Sequence, residues 1–221
     1  MSFTFFTDRL GGYSQGDFSS LNLALHVEDD AKTVARNREV IEQAHGKTVY
    51  MNQVHGNNVE VISKATDQVL TCDGLVTIVA GITLAVLVAD CIPLLLSSQN
   101  VVAAVHVGRR GLINGVATKS VAIMRELGAD EITATLGPSI CGPCYEVDQA
   151  TYDQVIATHP GAASKTSTGT PSLDLPAALV ADLAKLSIQC VVDSRCTRED
   201  EDLFSYRKSH RTGRQAGLIR L

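Results

Sequence analysis

Three residues able to bind a metal sit at the ends of apolar stretches. His55 closes VYMNQVHG, Cys91 lies within VLVADCIPLLL, and His106 ends AAVHVGRRG. An apolar strand offers an imidazole or a thiol few partners, so these placements ask for a chemical reason. Zinc supplies one: it takes neutral His nitrogen and Cys thiolate, and three protein ligands leave a fourth position for water or substrate. Taken singly, each residue has a plainer reading. A His near a strand end is often a hydrogen-bonded structural residue, and a Cys in an apolar run is often a small core residue. The spacing of 55, 91 and 106 contains no compact metal motif, so it leaves zinc and the plainer readings open.

Other residues carry chemistry of a second rank. Asp90, beside Cys91, is suited to orienting a ligand His or acting as a general base, and equally to capping a turn. Arg9 lies in a DRLGG turn with Ser14 close behind, where a guanidinium and backbone N–H groups can approach an anion. Arg110, four residues beyond His106, belongs with it. For both arginines a surface role is the alternative. Arg207, Arg211 and Arg214 form a basic segment read mainly as solvated or salt-bridged. Cys141 and Cys144 form a CxxC without a second CxxC, in a Gly/Pro loop, and are read as loop residues near the site rather than metal ligands. Cys72, Cys190 and Cys196 read as ordinary small residues. His26 is placed to approach the site, whereas His45, His159 and His210 read as surface or capping residues.

The elements that position these residues follow from local signals. Helices are predicted over 31–45 (behind two aspartates and before Gly46), 115–127, 149–158 (behind Asp148) and 175–186 (behind Asp174, with Pro176 in its first turn). Strands are predicted over 3–7, 48–53, 75–79, 83–88, 101–107, 131–136 and 189–193. Their continuous apolar runs suggest cover on both faces, hence an α/β or α+β class with large sheets. The stretch 160–172 reads as an exposed loop, either a lid or a surface excursion.

Composition bounds the rest. A chain of 221 residues, 45% hydrophobic and 19% charged, suits one globular domain over 1–221. The net charge of −5 argues against a nucleic-acid or acidic-membrane partner. The N-terminus lacks a secretory pattern and the apolar stretch from Gly74 to Ala89 is short for a span, so a cytoplasmic protein with reduced cysteines is expected.

Several motifs in order resemble one family. NQVHG at 52–56, ADCIPLLL at 89–96, HVGRRG at 106–111, GPSICGPCYEVD at 137–148 and SYRKSHRTGRQAGLIRL at 205–221, with the opening DRLGGYSQGDFSSLNLALHVEDD at 8–30, look like the laccase-domain family. This family is also called the multicopper polyphenol oxidoreductase or YfiH-like family. The resemblance covers nearly the whole chain. It implies mixed β-sheets flanked by helices in a layered α/β/β/α architecture, and a zinc held by His55, Cys91 and His106. It further implies a purine nucleoside phosphorylase acting on a nucleoside and phosphate, with adenosine deaminase activity in some members and peptidoglycan editing in others. Asn52 and Gln53 become candidates for a base or ribose, and Arg9, Ser14 and Arg110 for phosphate. One departure is visible: Arg109 stands where the family usually has Trp, which bears on substrate preference. The alternatives are a metal-free hydrolase with Cys91 as nucleophile and His106 as base, and a copper oxidase. The last is disfavoured, because a multicopper cluster needs more histidines than the six present.

Overall fold

The longest apolar runs become strands buried on both faces, as continuous Val/Leu/Ile stretches require. The computed structural model describes residues 2–221. A four-stranded sheet has the order β1 (Phe3–Phe6), β14 (Gln215–Arg220), β7 (Thr83–Val88), β2 (Thr48–Val49). A six-stranded sheet has the order β13 (Gln189–Val192), β10 (Thr133–Leu136), β8 (Ile92–Ser97), β9 (Val102–Val107), β6 (Gly74–Thr77), β4 (Val59–Ile62). Both are mixed: β2 runs parallel to β7, β4 to β6 and β10 to β13, while the other pairs are antiparallel. Two short ribbons complete the strands, β3 (Met51–Asn52) with β5 (Leu70–Thr71), and β11 (Ala163–Lys165) with β12 (Pro171–Leu173).

Alternation along each strand decides which side faces what. Leu84, Val86 and Val88 of β7 meet Leu95 of β8, Val102 and Ala104 of β9 and Leu75 of β6 in a core between the two sheets. Ala85 and Leu87 point the other way, toward Ile41 of helix α1 (Ala31–His45). On the far face of the larger sheet, Leu94, Leu96 and Val105 pack under α3 (Val116–Glu126) and α5 (Leu175–Lys185), through Val121, Met124, Leu179 and Leu183. The result is the expected α/β/β/α layering. Helix α2 (Arg109–Ile113) follows β9 directly, and α4 (Gln149–Ile156) borders the larger sheet's helix layer through Val155.

Three of the four predicted helices start behind the aspartates that cap them, while the helix predicted over 115–127 starts at Val116 behind Gly115. Asp30 accepts from Thr33 N at 2.8 Å, Asp148 from Thr151 N at 2.7 Å and Asp174 from Ala177 N at 2.9 Å. Other expectations need correction. The stretch 160–172 is a 3-10 turn at Pro160–Ala162 followed by the β11–β12 hairpin, not a featureless loop. The strand expected over 48–53 breaks at Tyr50 into two short pieces. The sequence pattern does not predict strands β4, β8 and β14. Pro93 disguises β8, because proline seldom sits inside a sheet, yet here it stands opposite His106. Glycine disguises β14: Gly217 lies against Phe6, Pro93 and Val86, where an added Cβ would sit only 3.1–3.2 Å from them.

Leu95 fills the space between the sheets and is 1% exposed. Leu95→Ala is expected to lower the unfolding free energy by about 2–5 kcal/mol, read as a lower urea midpoint at unchanged slope.

Candidate active site

The parity that buries Val102 and Ala104 between the sheets also directs His106 there, two residues further along β9. Cys91 sits just before β8, on the face that Leu95 shares, and packs against the same inter-sheet core. His55 comes from the turn after β3. The donor atoms of the three residues lie within 4.8 Å of one another. Cys91 Sγ is 3.8 Å from His55 Nε2, and the two imidazoles meet edge to face with centroids 4.7 Å apart. Tetrahedral zinc, with Zn–N of about 2.0–2.1 Å and Zn–S of about 2.3 Å, needs donor pairs roughly 3.3–3.6 Å apart. The Cys91–His55 pair stands a few tenths of an ångström wider than that, and a two-histidine, one-thiol donor set suits such an ion. Exposure is graded: His106 is buried, Cys91 half-buried and His55 exposed, so the cluster opens to one side.

Asp73, which sequence reasoning passed over, holds the cluster together. Its carboxylate is fully buried at the start of β6. Oδ1 lies 2.8 Å from His106 Nδ1 and accepts His55 N–H at 2.9 Å, while Oδ2 accepts Gly56 N–H at 2.7 Å and Val54 N–H at 3.3 Å. Engaging Nδ1 of His106 leaves Nε2 available to a metal ion, an arrangement like the carboxylate–histidine support of zinc ligands. The same bonds hold His55 at φ 58°, a left-handed conformation that a non-glycine residue rarely adopts. Asp90, at φ 98°, is another such residue in the site. Gly108 passes beneath: an added Cβ would sit 3.0 Å from both Cys91 Sγ and His55 Cδ2. The available signal for Asp73 was a carboxylate in CDG, directly before a buried strand.

The charges reinforce one another. Burial pushes the Cys91 thiol up, but His106 and His55 outweigh it and draw it down to about 6. Burial pushes His106 down, while Cys91 and Asp73 raise it to about 9. Burial likewise opposes ionisation of Asp73, yet His106 and the Gly56 amide hold it below the usual carboxylate range. These groups thus favour thiolate facing imidazolium. A divalent ion bound here would take the place of the imidazolium proton and leave both histidines neutral.

The cluster forms the floor of a cavity of about 360 Å³, within the range of small-molecule sites. Gln53 and Asp90 line it, with His26, Tyr145, Tyr206, Arg207 and Arg214. Arg207 stacks over Tyr145 at 4.7 Å and donates to Glu146 O at 2.7 Å. Arg214 donates to Thr212 O and Gly213 O, and burial lowers its pKa. Burial, then Arg214 and Arg38, lower His26, favouring its neutral form.

Several expected site residues are placed elsewhere. Arg9 donates to Ser19 O at 2.7 Å and lies over Phe204, in a separate cleft with Lys208. Ser14 is buried and donates to Asp29 at 2.6 Å. Arg110 is exposed on α2, and Asn52 points to Thr71 Oγ1; neither lines the cavity. Gln53 spends both amide atoms on the Leu87 backbone, at 2.7 and 2.8 Å. Asp90 has no histidine partner among the described residues. Its carboxylate accepts Thr197 Oγ1, Ser205 Oγ and the Arg207 N–H at 2.6–2.7 Å, which makes it an anchor for the C-terminal segment rather than a free base. Arg109 lines the adjoining cleft beside Tyr145 and Arg207. The basic C-terminal segment, read as solvated, supplies two arginines to the cavity.

Residues 3–221 match the family described as multi-copper polyphenol oxidoreductase laccase, and the chain belongs to that family. It is 46% identical to a purine nucleoside phosphorylase of Corynebacterium glutamicum, covering 97% of this chain and 92% of that one. It is 44% identical to a purine nucleoside phosphorylase of Streptomyces coelicolor, over 97% and 93%. Among solved structures, a DUF152 protein of Neisseria meningitidis superposes with a TM-score of 0.91 at 35% identity, over 100% and 94% of the two chains. YlmD of Geobacillus stearothermophilus gives 0.87 at 34% identity, over 99% and 91%.

If Asp73 positions the ligands as argued, Asp73→Asn keeps the shape but loses the charge. Zinc affinity should fall about 10- to 100-fold, measured by competition with a chromogenic chelator, with the far-ultraviolet dichroism unchanged.

Proposed function

We propose that this member of the multi-copper polyphenol oxidoreductase laccase family is a cytoplasmic, zinc-dependent purine nucleoside phosphorylase, with adenosine deamination as a second activity of the same site. The observation that carries the reading is a His55–Cys91–His106 donor set, open on one side, at the floor of a cavity walled by two tyrosines and two arginines. The names of the relatives supply the substrate class.

His55, Cys91 and His106 would hold the zinc, with Asp73 orienting His106. Bound there, zinc supplies Lewis acidity and lowers the pKa of water to roughly 7, which suits deamination directly. Tyr145 and Tyr206 offer ring faces for a purine. Arg207 and Arg214 take the anion-binding role first expected of Arg9, Ser14 and Arg110, because they are the arginines that line the cavity. In phosphorolysis a phosphate oxygen forms the new bond to the ribose anomeric carbon. The glycosidic bond breaks, its electron pair leaves with the purine, and the purine takes up the proton that the phosphate gives up. Two guanidinium groups hold the phosphate for that attack and offset its charge.

A second reading has its own support. Asp73, His106 and Cys91 line up as orienting acid, base and nucleophile, with the thiol drawn down to about 6, as a metal-free hydrolase would need. Copper oxidation has less: among the described residues, only the histidines His26, His55 and His106 line the cavity.

Purified protein given adenosine or inosine with phosphate is expected to release free base and ribose 1-phosphate, followed by chromatography. Chelation should abolish turnover and zinc restore it; activity that survives metal removal but not thiol alkylation favours the hydrolase. Arg207→Ala and Arg214→Ala should each raise the apparent KM for phosphate, since losing a charge-assisted contact costs about 1.5–3 kcal/mol, roughly ten- to hundred-fold. Arg9→Ala and Arg110→Ala should not.

A further inference from the structure

A second group of soft donors stands apart from His55, Cys91 and His106. Cys141, Cys144, Cys196 and Glu199 bring three sulfurs and a carboxylate oxygen within 4.8 Å of one another. They come from two tight turns with the same spacing. In the first, Cys144 N and Tyr145 N both donate to Cys141 O at 3.1 Å. In the second, Glu199 N and Asp200 N donate to Cys196 O at 3.1 and 2.9 Å. Each turn therefore offers donors at positions i and i+3, the two-residue spacing used by ligand pairs in structural zinc sites. The turns are already registered: Ser139 bridges Cys196, Thr197 N donates to Ser139 O at 3.1 Å, and Cys141 N donates to Cys196 Sγ at 3.3 Å. Cys144 Sγ reaches Glu199 Oε1 at 3.6 Å.

We propose that Cys141, Cys144, Cys196 and Glu199 hold a second, structural zinc-type ion that staples the 137–147 loop to the C-terminal segment. Three thiolates select a soft or borderline cation over magnesium or calcium, and four protein donors close the coordination sphere. Ordinary packing accounts poorly for the group, because Glu199 is exposed and yet turned onto the sulfurs. A disulfide would leave the third sulfur unpaired. Binding displaces the protons of the three thiols, so four negative donors face one divalent charge. Arg198, with a guanidinium nitrogen 3.5 Å from Cys144 O, helps offset the remainder.

The staple has a consequence for the cavity. Tyr145, which lines it, follows Cys144 directly, and Thr197, which donates to Asp90, follows Cys196 directly. One ion would thus fix both sides of the wall that carries Tyr145 and Arg207, whatever reaction the cavity performs.

Zinc is counted by elemental analysis on full-length protein purified under reducing conditions, loaded with zinc and freed of excess. Wild type should carry two equivalents per chain, in keeping with one open and one closed site of this kind. Cys91→Ala should keep one of them, and Cys144→Ser should lose that one while keeping the equivalent that Cys91→Ala loses. Cobalt bound to Cys91→Ala should show the charge-transfer absorption of several thiolates, absent once Cys144→Ser is added. Cys144 is half-buried and its replacement conservative; dichroism checks the fold. A folded Cys91→Ala protein that takes up neither zinc nor cobalt overturns the proposal. So does a Cys144→Ser protein that keeps both equivalents.

Discussion

A carboxylate with no exposure to solvent must be surrounded by donors, and Asp73 obeys that constraint with four of them. Burying an unpaired charge costs several kcal/mol, so the chain is obliged to bring its partners to that point. Those partners belong to two separate segments, the 54–56 turn and His106 on β9. Satisfying one buried charge therefore assembles two of the three candidate metal-binding side chains. The same bonds force His55 into a conformation it would not hold alone. The strain is local, and the surrounding bonds over-determine it, as they must for such residues to persist.

Around that point the two sheets do the remaining positioning. Sheet packing fixes which face of β9 looks inward, and His106 shares that face with Val102 and Ala104. Cys91 enters from the residue just before the neighbouring strand β8, and Gly108 leaves room for the sulfur and the His55 ring to approach. The site is thus built at the edge of a close-packed core, where side chains have little freedom and charges interact strongly. A loop-only site would offer neither.

The other wall of the cavity depends on the chain's C-terminal end. Asp90 binds Thr197, Ser205 and the Arg207 amide, and β14 then inserts between β1 and β7. Arg207 and Arg214 are carried to the cavity by this path. Asp90 and Asp73 play parallel parts: each is a buried acid whose hydrogen bonds bring distant segments to the His55, Cys91 and His106 cluster.

Helices were legible in the sequence because their signals are local. Asp30, Asp148 and Asp174 cap within three residues, and an apolar stripe repeats within a turn. His55, Cys91 and His106 stand out in the sequence as candidates because polar residues at the edges of apolar runs are conspicuous and the motifs around them resemble one family; that their donor atoms meet is a property of the fold. Strand β8 was hidden by Pro93 and β14 by Gly217, since both residues weaken the strand pattern whatever their neighbours in space. The placements of Asp73, Arg207, Arg214 and Cys196 are beyond sequence for a different reason. Cys141 and Cys196 are separated by 55 positions, Asp90 and Arg207 by 117. Arg9 and Arg207 look alike as exposed basic residues. Only the pairing of the sheets and the path of β14 decided that one lines the cavity and the other lies over Phe204. Residue type determined what chemistry each side chain could do; which of them meet was decided by long-range packing, because direction and burial are properties of neighbours that the sequence order does not contain.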